Sequence, residues 1–336
     1  MSASTNQPDP GMILQTLMAF EQTQALKAAI ELDLFTAIAE GANTPASLAS
    51  HAKAAERGVR ILCDYLTILG YLTKTDGVYG LSPTSAVFLN RKSPVYMGAM
   101  AHFLAHPTII GAYSNLAETV RRGGASVGNS TVDPDHPVWV EFARSMSGFL
   151  GAVAAQVAGI VARPGERQKV LDIAAGHGMF GLQVAKANPQ AEIHALDWKN
   201  VLTVASENAA HMGLADRFYT IPGSAFEVPL GTDYDLILIP NFLHHFDIPT
   251  NVAFLKRVRA ALKPDGVVAT AEFVPNADRI SPPIAAAFSL QMLGGTPAGD
   301  AYTFAELDHM FREAGFRDNK AQPLAPTPQT LILSRL

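Results

Sequence analysis

The sequence predicts an α/β protein: a doubly wound, mostly parallel sheet in the C-terminal half, preceded by a helical region with a winged-helix pattern. Three observations carry this. After Gln168, short apolar runs rich in Val, Ile and Leu alternate with helical patterns, which is the signature of βαβ units. The first run, Val170–Ile173, ends in a turn of small residues, Ala174-Ala175-Gly176-His177-Gly178, and a second run, Ile193–Leu196, ends in Asp197. Before residue 162 the pattern is helical, apart from one hairpin signal.

Taken in order, the opening residues MSASTNQPDPG are polar and contain no apolar signal core. Ala19, Leu26, Ala29 and Ile30 give one apolar helix face, followed by Leu32, Leu34, Phe35 and Ile38. Thr44-Pro45 opens a short helix, because a threonine oxygen caps orphan N–H groups and proline suits the first turn. Val59, Leu62, Leu66 and Leu69 recur at helical spacing, and Gly70 ends that helix. The segment YLTKTDGVYGLSP reads as a β-hairpin turning at Asp76-Gly77. Together these elements make a winged-helix-like domain over residues 1–92. Further helices are expected over 93–162, interrupted by the loop Gly123–Pro137, as a connector to the second domain. The Pro/Gly and charged stretch ARPGERQ marks the boundary, and 163–336 forms the sheet domain. Its strands are expected at Val170–Ile173, Ile193–Leu196, Phe218–Ile221, Leu236–Ile239 and Val267–Ala271. A terminal antiparallel pair is expected near Phe316–Lys320 and Thr330–Ser334.

Composition narrows the class. With 336 residues, 48% of them hydrophobic, the chain has material for about two cores. A net charge of −5, and no Lys/Arg run longer than Arg121–Arg122, argue against extended contact with nucleic acid. No uninterrupted apolar run reaches the ~18 residues of a membrane span. The single cysteine, Cys63, sits in an apolar helical pattern and reads as core. The expectation is a cytoplasmic protein with no membrane or nucleic-acid partner.

The turn after the first strand reads as a nucleoside crevice. Small residues let backbone approach a ligand, and Asp197, 25 positions beyond Asp172, is placed to accept ribose hydroxyls. A dinucleotide site would show G-x-G-x-x-G, whereas the frame here is A-x-G-x-G behind Asp172, which suits a cationic group better than a pyrophosphate. On this segment alone NAD or another nucleotide stays open. A winged helix also raises a DNA-binding reading. Its recognition helix would be Ala55–Leu69, whose charged residues are Glu56, Arg57, Arg60 and Asp64; two acids facing phosphates speak against it.

Across nearly the whole chain these motifs resemble the plant-type small-molecule O-methyltransferases and their bacterial relatives. VLDIAAGHG is similar to the family's motif I, HALDW to its ribose-binding acid, and IPGSAFEVP to the loop that carries an adenine contact. LIPNFLHHFD resembles the stretch holding the catalytic histidine, ALKPDGVVATAEF the helix and strand that follow, and AIELDLFTAI through LSPTSAVFL the dimerisation domain. The resemblance implies a Rossmann-like methyltransferase sheet, S-adenosylmethionine as cofactor with S-adenosylhomocysteine as product, and a homodimer. It also implies transfer to a hydroxyl of a small aromatic metabolite.

For the site, the resemblance implies His244 as general base, a role that suits an imidazole facing a phenol. Glu272 matches one of two histidine-orienting glutamates. At the place of the second stands Ala301, and the neighbouring Asp300 is the expected substitute. His245 falls where many relatives have aspartate and reads as scaffolding. A metal site from His244, His245 and Asp247 finds no third well-spaced ligand group, so no metal is expected. The expected cofactor-binding residues are Asp172, Ala174, Gly176, Gly178, Asp197, Trp198, Gly223, Ser224, Ala225, Phe226 and Asn241. Among them Ala174 replaces a glycine, which is tolerable if its φ is negative, and Ser224 replaces an aspartate. Trp198 is placed to stack on adenine. Met146, Phe142, Phe103, His106, Phe288 and Met292 are candidates for the acceptor pocket. Two alternatives remain at this level: a relative that binds the cofactor without transferring methyl, and a winged-helix regulator.

Overall fold

Both the hairpin at Asp76-Gly77 and the seven-stranded sheet after Gln168 are present in the computed structural model, which describes residues 8–126, 131–132 and 136–336. The polar opening before residue 8 and most of the loop between 127 and 135 lie outside the described residues. Two units divide between His106 and Pro107, so the stretch expected as a connector contributes to both.

The first unit holds α1 (Pro10–Glu31), α2 (Leu34–Ala39), α3 (Pro45–Ala52), α4 (Glu56–Ile68), the antiparallel pair β1 (Leu72–Thr75) and β2 (Val78–Leu81), α5 (Pro83–Phe88) and α6 (Met100–Leu104). Thr44 caps α3 reciprocally with Ser47, satisfying donors that the first helical turn leaves open. Ile30, Leu34, Phe35, Leu48, Val59, Cys63, Leu66, Leu72 and Tyr79 close one core, and Cys63 is inside it as expected. On α4, Asp64 accepts from Arg60, Lys74 and the Tyr79 hydroxyl, so the acid of the candidate recognition helix is tied into the unit's own network. Met12, Ile13, Leu14, Leu17 and Phe20 stand exposed on α1.

The second unit begins with α7 (Pro107–Gly111), α8 (Leu116–Arg122) and α9 (Val138–Val161). It continues with β3 (Gln168–Ile173), α10 (Met179–Ala187), β4 (Ala191–Asp197), α11 (Lys199–His211), β5 (Phe218–Pro222) and β6 (Tyr234–Leu238). It ends with α12 (Ile248–Ala261), β7 (Leu262–Glu272), α13 (Pro283–Gly295), α14 (Phe304–Glu313), β8 (Asp318–Pro323) and β9 (Thr330–Arg335). The sheet order is β5-β4-β3-β6-β7-β9-β8; the first five strands are parallel, and β9 runs antiparallel to both neighbours. Sequence order reverses between β3 and β6, so the crevice opens at the carboxyl ends of these strands. The continuous apolar runs follow from helices covering both faces: Val170, Leu171, Ile173, Ile237 and Val268 are all buried. The last helix-to-strand turn comes later than expected. Phe316 packs into the core against Phe311, their rings 5.3 Å apart, and β8 starts only at Asp318. By length and composition α9 is long and apolar enough to cross a bilayer. In this fold it turns Ala143, Leu150, Val153, Val157 and Ala158 inward and packs on α10 and α11.

Candidate active site

The turn after β3 is a run of left-handed backbone. Gly176 and Gly178 have φ of 58° and 74°, and a Cβ on Gly178 would sit 3.0 Å from the Ala205 methyl. Ala174 also has a positive φ, 52°, so the negative φ under which alanine replaces that glycine without strain is not met. The left-handed conformation costs an alanine ~1–2 kcal/mol. The turn holds it because its N–H groups are already committed: Ala175 donates to the Leu196 carbonyl at 3.1 Å and Gly178 to that of Ala175 at 2.7 Å.

Asp197 ends β4 beside this turn. Its Oδ2 accepts the Gly176 N–H at 2.7 Å and its Oδ1 the Trp198 N–H at 2.6 Å, which fixes the carboxylate plane and leaves lone pairs on both oxygens. Burial pushes its pKa up to about 6, opposed by those two N–H groups. Asp172 is fully buried within β3. Its Oδ2 accepts the Gly181 N–H at 2.9 Å, while Oδ1 has no partner among the described residues. Burial pushes Asp172 up to about 8, with the Asp197 charge adding to it. An enclosed, unpaired carboxylate oxygen behind a small-residue turn fits a ligand that brings a cationic amino acid end. A fixed acid at the neighbouring strand tip fits ribose hydroxyls. The residues present therefore fit S-adenosylmethionine.

Asp172 has a consequence for stability. Its folded-state pKa is about 8, above the unfolded value, so the native state without cofactor binds the extra proton between about pH 4 and pH 8. Stability from this group is therefore full in acid and declines as pH rises through that window, by up to ~1.4 kcal/mol per pH unit. Asp172→Asn, which removes the titration, is expected to raise the cofactor-free melting temperature at pH 8 and to change it little at pH 5. Thermal melts at the two pH values check this.

The other expected cofactor residues meet the crevice in different ways. Gly223 donates its N–H to the Asp197 carbonyl at 2.9 Å. The Ser224 hydroxyl accepts the Phe226 N–H at 3.2 Å, so it closes its own turn. Ala225 is buried, and its carbonyl accepts from Arg257 at 2.9 Å. The Phe226 ring joins Phe242, Phe246 and Phe254 in an aromatic cluster, with centroids 4.8–6.0 Å from its own. Asn241 sits at a φ of 51°, donates its N–H to the Ala271 carbonyl and accepts from Gln329. Trp198 packs on Ala143, Val201 and Val204 beside Trp139.

Across the crevice, the turn 243–245 after β6 carries both histidines. His244 Nδ1 lies 2.5 Å from Glu272 Oε2, both side chains being buried. Glu272, the last residue of β7, also accepts the Phe242 and Leu243 N–H groups on Oε1, at 3.0 and 2.8 Å. One carboxylate thus holds the ring and the backbone that presents it. Sequence reasoning missed two further supports. Asn251 donates to the carbonyls of Leu243 (2.8 Å) and Phe246 (3.1 Å), and the Tyr302 hydroxyl donates to that of Phe246 (2.5 Å). Their signal is only positional, the fourth residue of α12, eight beyond Leu243, for one and a distant loop for the other. His245 Nδ1 is enclosed and has no hydrogen-bond partner among the described residues, and its ring meets Trp139 edge-on at 5.3 Å. Enclosure and the neighbouring His244 hold its pKa well below the usual imidazole range.

Asp300, expected as a second carboxylate on His244, is committed elsewhere. Its Oδ2 accepts from Arg279 at 3.1 Å and its Oδ1 from the Ala301 N–H at 2.8 Å. Of the acceptor-pocket candidates, Phe288 stands edge-on to His244 at 4.8 Å and stacks on Phe273 at 4.1 Å. Met292 and Met146 are buried on α13 and α9. Phe142 lies over the turn after β3, stacked on His177 at 6.0 Å, with its ring 3.6 Å from where a Gly176 Cβ would be. Phe103, buried in α6, and His106 belong to the first unit.

A sheet of this order, with an acid at the tip of its second strand and a small-residue turn at the end of the first, defines an S-adenosylmethionine-dependent methyltransferase. The O-methyltransferase domain model matches residues 113–317, and the O-methyltransferase dimerisation domain model matches 14–91. The chain belongs to the O-methyltransferase family. It is 29% identical to the tetracenomycin polyketide synthesis 8-O-methyl transferase TcmO of Streptomyces glaucescens, over 100% of this chain and 99% of that one. It is also 29% identical to the 3-hydroxy-5-methyl-1-naphthoate 3-O-methyltransferase of Streptomyces sahachiroi, over 91% and 89%. Among solved structures, a protein assigned as an O-methyltransferase from Nostoc punctiforme is similar with a TM-score of 0.94 and 47% identity, covering 98% of this chain and 99% of that one.

Proposed function

We propose that the chain methylates a phenolic hydroxyl of a flat, largely apolar aromatic metabolite of the polyketide or naphthoate kind, acting as a cytoplasmic homodimer with His244 as the base. The observation that carries this reading is the buried His244–Glu272 pair at the crevice, with aromatic rings around the histidine. The two Streptomyces relatives serve tetracenomycin polyketide synthesis and a hydroxynaphthoate, which supports an acceptor of this kind. The match to a dimerisation domain, and the exposed apolar face of α1, support the dimer.

When bound, S-adenosylmethionine supplies an electrophilic methyl carbon together with its own leaving group. The protein's part is alignment and removal of one proton. Asp197 would hold the ribose, and Asp172 with the 174–178 turn the methionyl end. Glu272 accepts from Nδ1–H of His244, which leaves Nε2 as the basic nitrogen. Nε2 takes the phenol proton as the oxygen attacks, and the imidazolium that forms is stabilised by the Glu272 carboxylate. Asp300 serves the loop through Arg279 in this reading, and Glu272 is the orienting acid.

Glu272→Gln tests the pairing. A glutamine keeps the size and can still accept from Phe242 and Leu243, but it can present N–H to Nδ1 and stabilise the wrong tautomer. Turnover is expected to fall about 10- to 100-fold with cofactor affinity unchanged. Steady-state kinetics beside calorimetric titration with S-adenosylhomocysteine measure both.

A further inference from the structure

We propose that Arg279 is a positioning residue for the base: it latches the loop between α13 and α14 onto the backbone of His244. The proposal rests on His244 acting as the base.

The loop after α13 crosses the histidine turn at close range. A Cβ on Gly299 would lie 2.2 Å from the His244 carbonyl oxygen and 2.9 Å from the carbonyl carbon of His245, so only glycine lets the two backbones meet. Three residues on, Tyr302 bonds the Phe246 carbonyl. Glu272 therefore fixes the His244 ring from the sheet, while from the loop Gly299 bears on the His244 backbone and Tyr302 on that of Phe246, two residues on. Within the loop, Thr296 Oγ1 accepts the Gly299 N–H at 2.8 Å.

What holds the outer end of this loop is Arg279. Its Nη1 donates to Asp300 Oδ2 at 3.1 Å and to the Ala301 carbonyl at 3.3 Å, and its Nη2 pairs with Glu306. The other oxygen of Glu306 caps α14 through the Thr303 N–H and hydroxyl, at 2.8 and 2.7 Å. One guanidinium thus ties the loop to the start of α14, a bidentate use that lysine reproduces only in part. Arg279 does this from a φ of 56°, which costs a residue with a side chain. Its turn is preset by Asp278, which accepts from the Ile280 and Ser281 N–H groups at 3.0 Å and from the Ser281 hydroxyl at 2.6 Å. The strained conformation is kept at a partly exposed site where an ion pair adds little to stability. Geometry at the base explains it better, since a misplacement of about 1 Å costs about 100-fold in rate.

The test compares Arg279→Met, Arg279→Lys and Arg279→Gly. Arg279→Met is expected to lower kcat about tenfold, with melting temperature, cofactor Kd and acceptor KM near wild type. Arg279→Lys is expected to recover part of the loss. Arg279→Gly, which relieves the backbone strain but removes the latch, is expected to follow Arg279→Met. Hydrogen exchange at the Gly299 and Ala301 amides should quicken in the Met and Gly variants. Wild-type kcat in Arg279→Met, or a fall matched by lost cofactor affinity or melting temperature, overturns the proposal. Unchanged exchange at 299 and 301 overturns it regardless of activity. His244→Gln in parallel separates the two readings: full turnover there removes the base assignment, and the exchange rates still decide whether Arg279 holds the loop.

Discussion

His244→Gln is expected to lower methyl transfer about 100- to 10,000-fold, the range that a positioned general base contributes. Glutamine is close in size and can keep a hydrogen bond to Glu272, so the burial of the turn is preserved. It offers no basic nitrogen for the phenol proton. Asp172, Asp197 and the 174–178 turn lie on the other strands of the crevice and are untouched. Cofactor affinity should therefore match wild type while kcat collapses, and isothermal titration with S-adenosylhomocysteine beside a methyl-transfer assay reads both. A base role also makes the loss pH-dependent: more acidic phenols, already ionised at higher pH, need no base and should narrow the gap between variant and wild type. A variant that turns over normally would leave alignment alone as the chemistry.

The second large effect belongs to Asp197→Ala. Its carboxylate is fixed by the Gly176 and Trp198 N–H groups, so its acceptor directions are set before any ligand arrives. Two hydrogen bonds to a charged acceptor, at ~1.5 kcal/mol or more each, amount to a loss of about 100-fold or greater in cofactor affinity. The same group gives the affinity a pH limit. The ionised form accepts both hydroxyls and the protonated form does not. Binding should strengthen with pH in two stages, as Asp197 ionises at about 6 and as Asp172 gives up its proton to pair with the cationic end at up to about 8. Calorimetric titrations of wild type between pH 5 and pH 8 check both stages, and in Asp197→Ala the lower one should vanish while the upper remains.

Much of the turn after β3, with Asp197 beside it, is legible in the sequence because its parts are local. An apolar run, a small-residue turn and a helical pattern adjoin one another, and Asp197 follows at a spacing set by one βαβ unit. The histidine turn is legible only through the family resemblance, which pairs it with the acid at the end of the next strand, Glu272. What stays hidden is what tertiary packing decides. The positive φ of Ala174 runs against the residue's own preference and exists because the turn's hydrogen bonds impose it. Phe142 reads like any pocket aromatic on a helix, and only packing lays it on the His177 ring. Asp300 looked like a substitute acid because it adjoins Ala301. Its direction depends on Arg279, 21 residues earlier, which no periodicity or motif links to it. The Gly299 approach to His244 joins loops 55 residues apart and carries no sequence mark beyond the glycine itself.

The measurement that bears most directly on the central claim is product analysis with purified protein. S-adenosylmethionine carrying a deuterated methyl group is incubated with a panel of hydroxynaphthoates and polyketide-derived phenols. S-adenosylhomocysteine and methylated acceptor are then quantified by mass spectrometry. One labelled methyl ether is expected per S-adenosylhomocysteine formed, with turnover lost in His244→Gln. Tight cofactor binding with no methylated product from any phenol in the panel would contradict that claim.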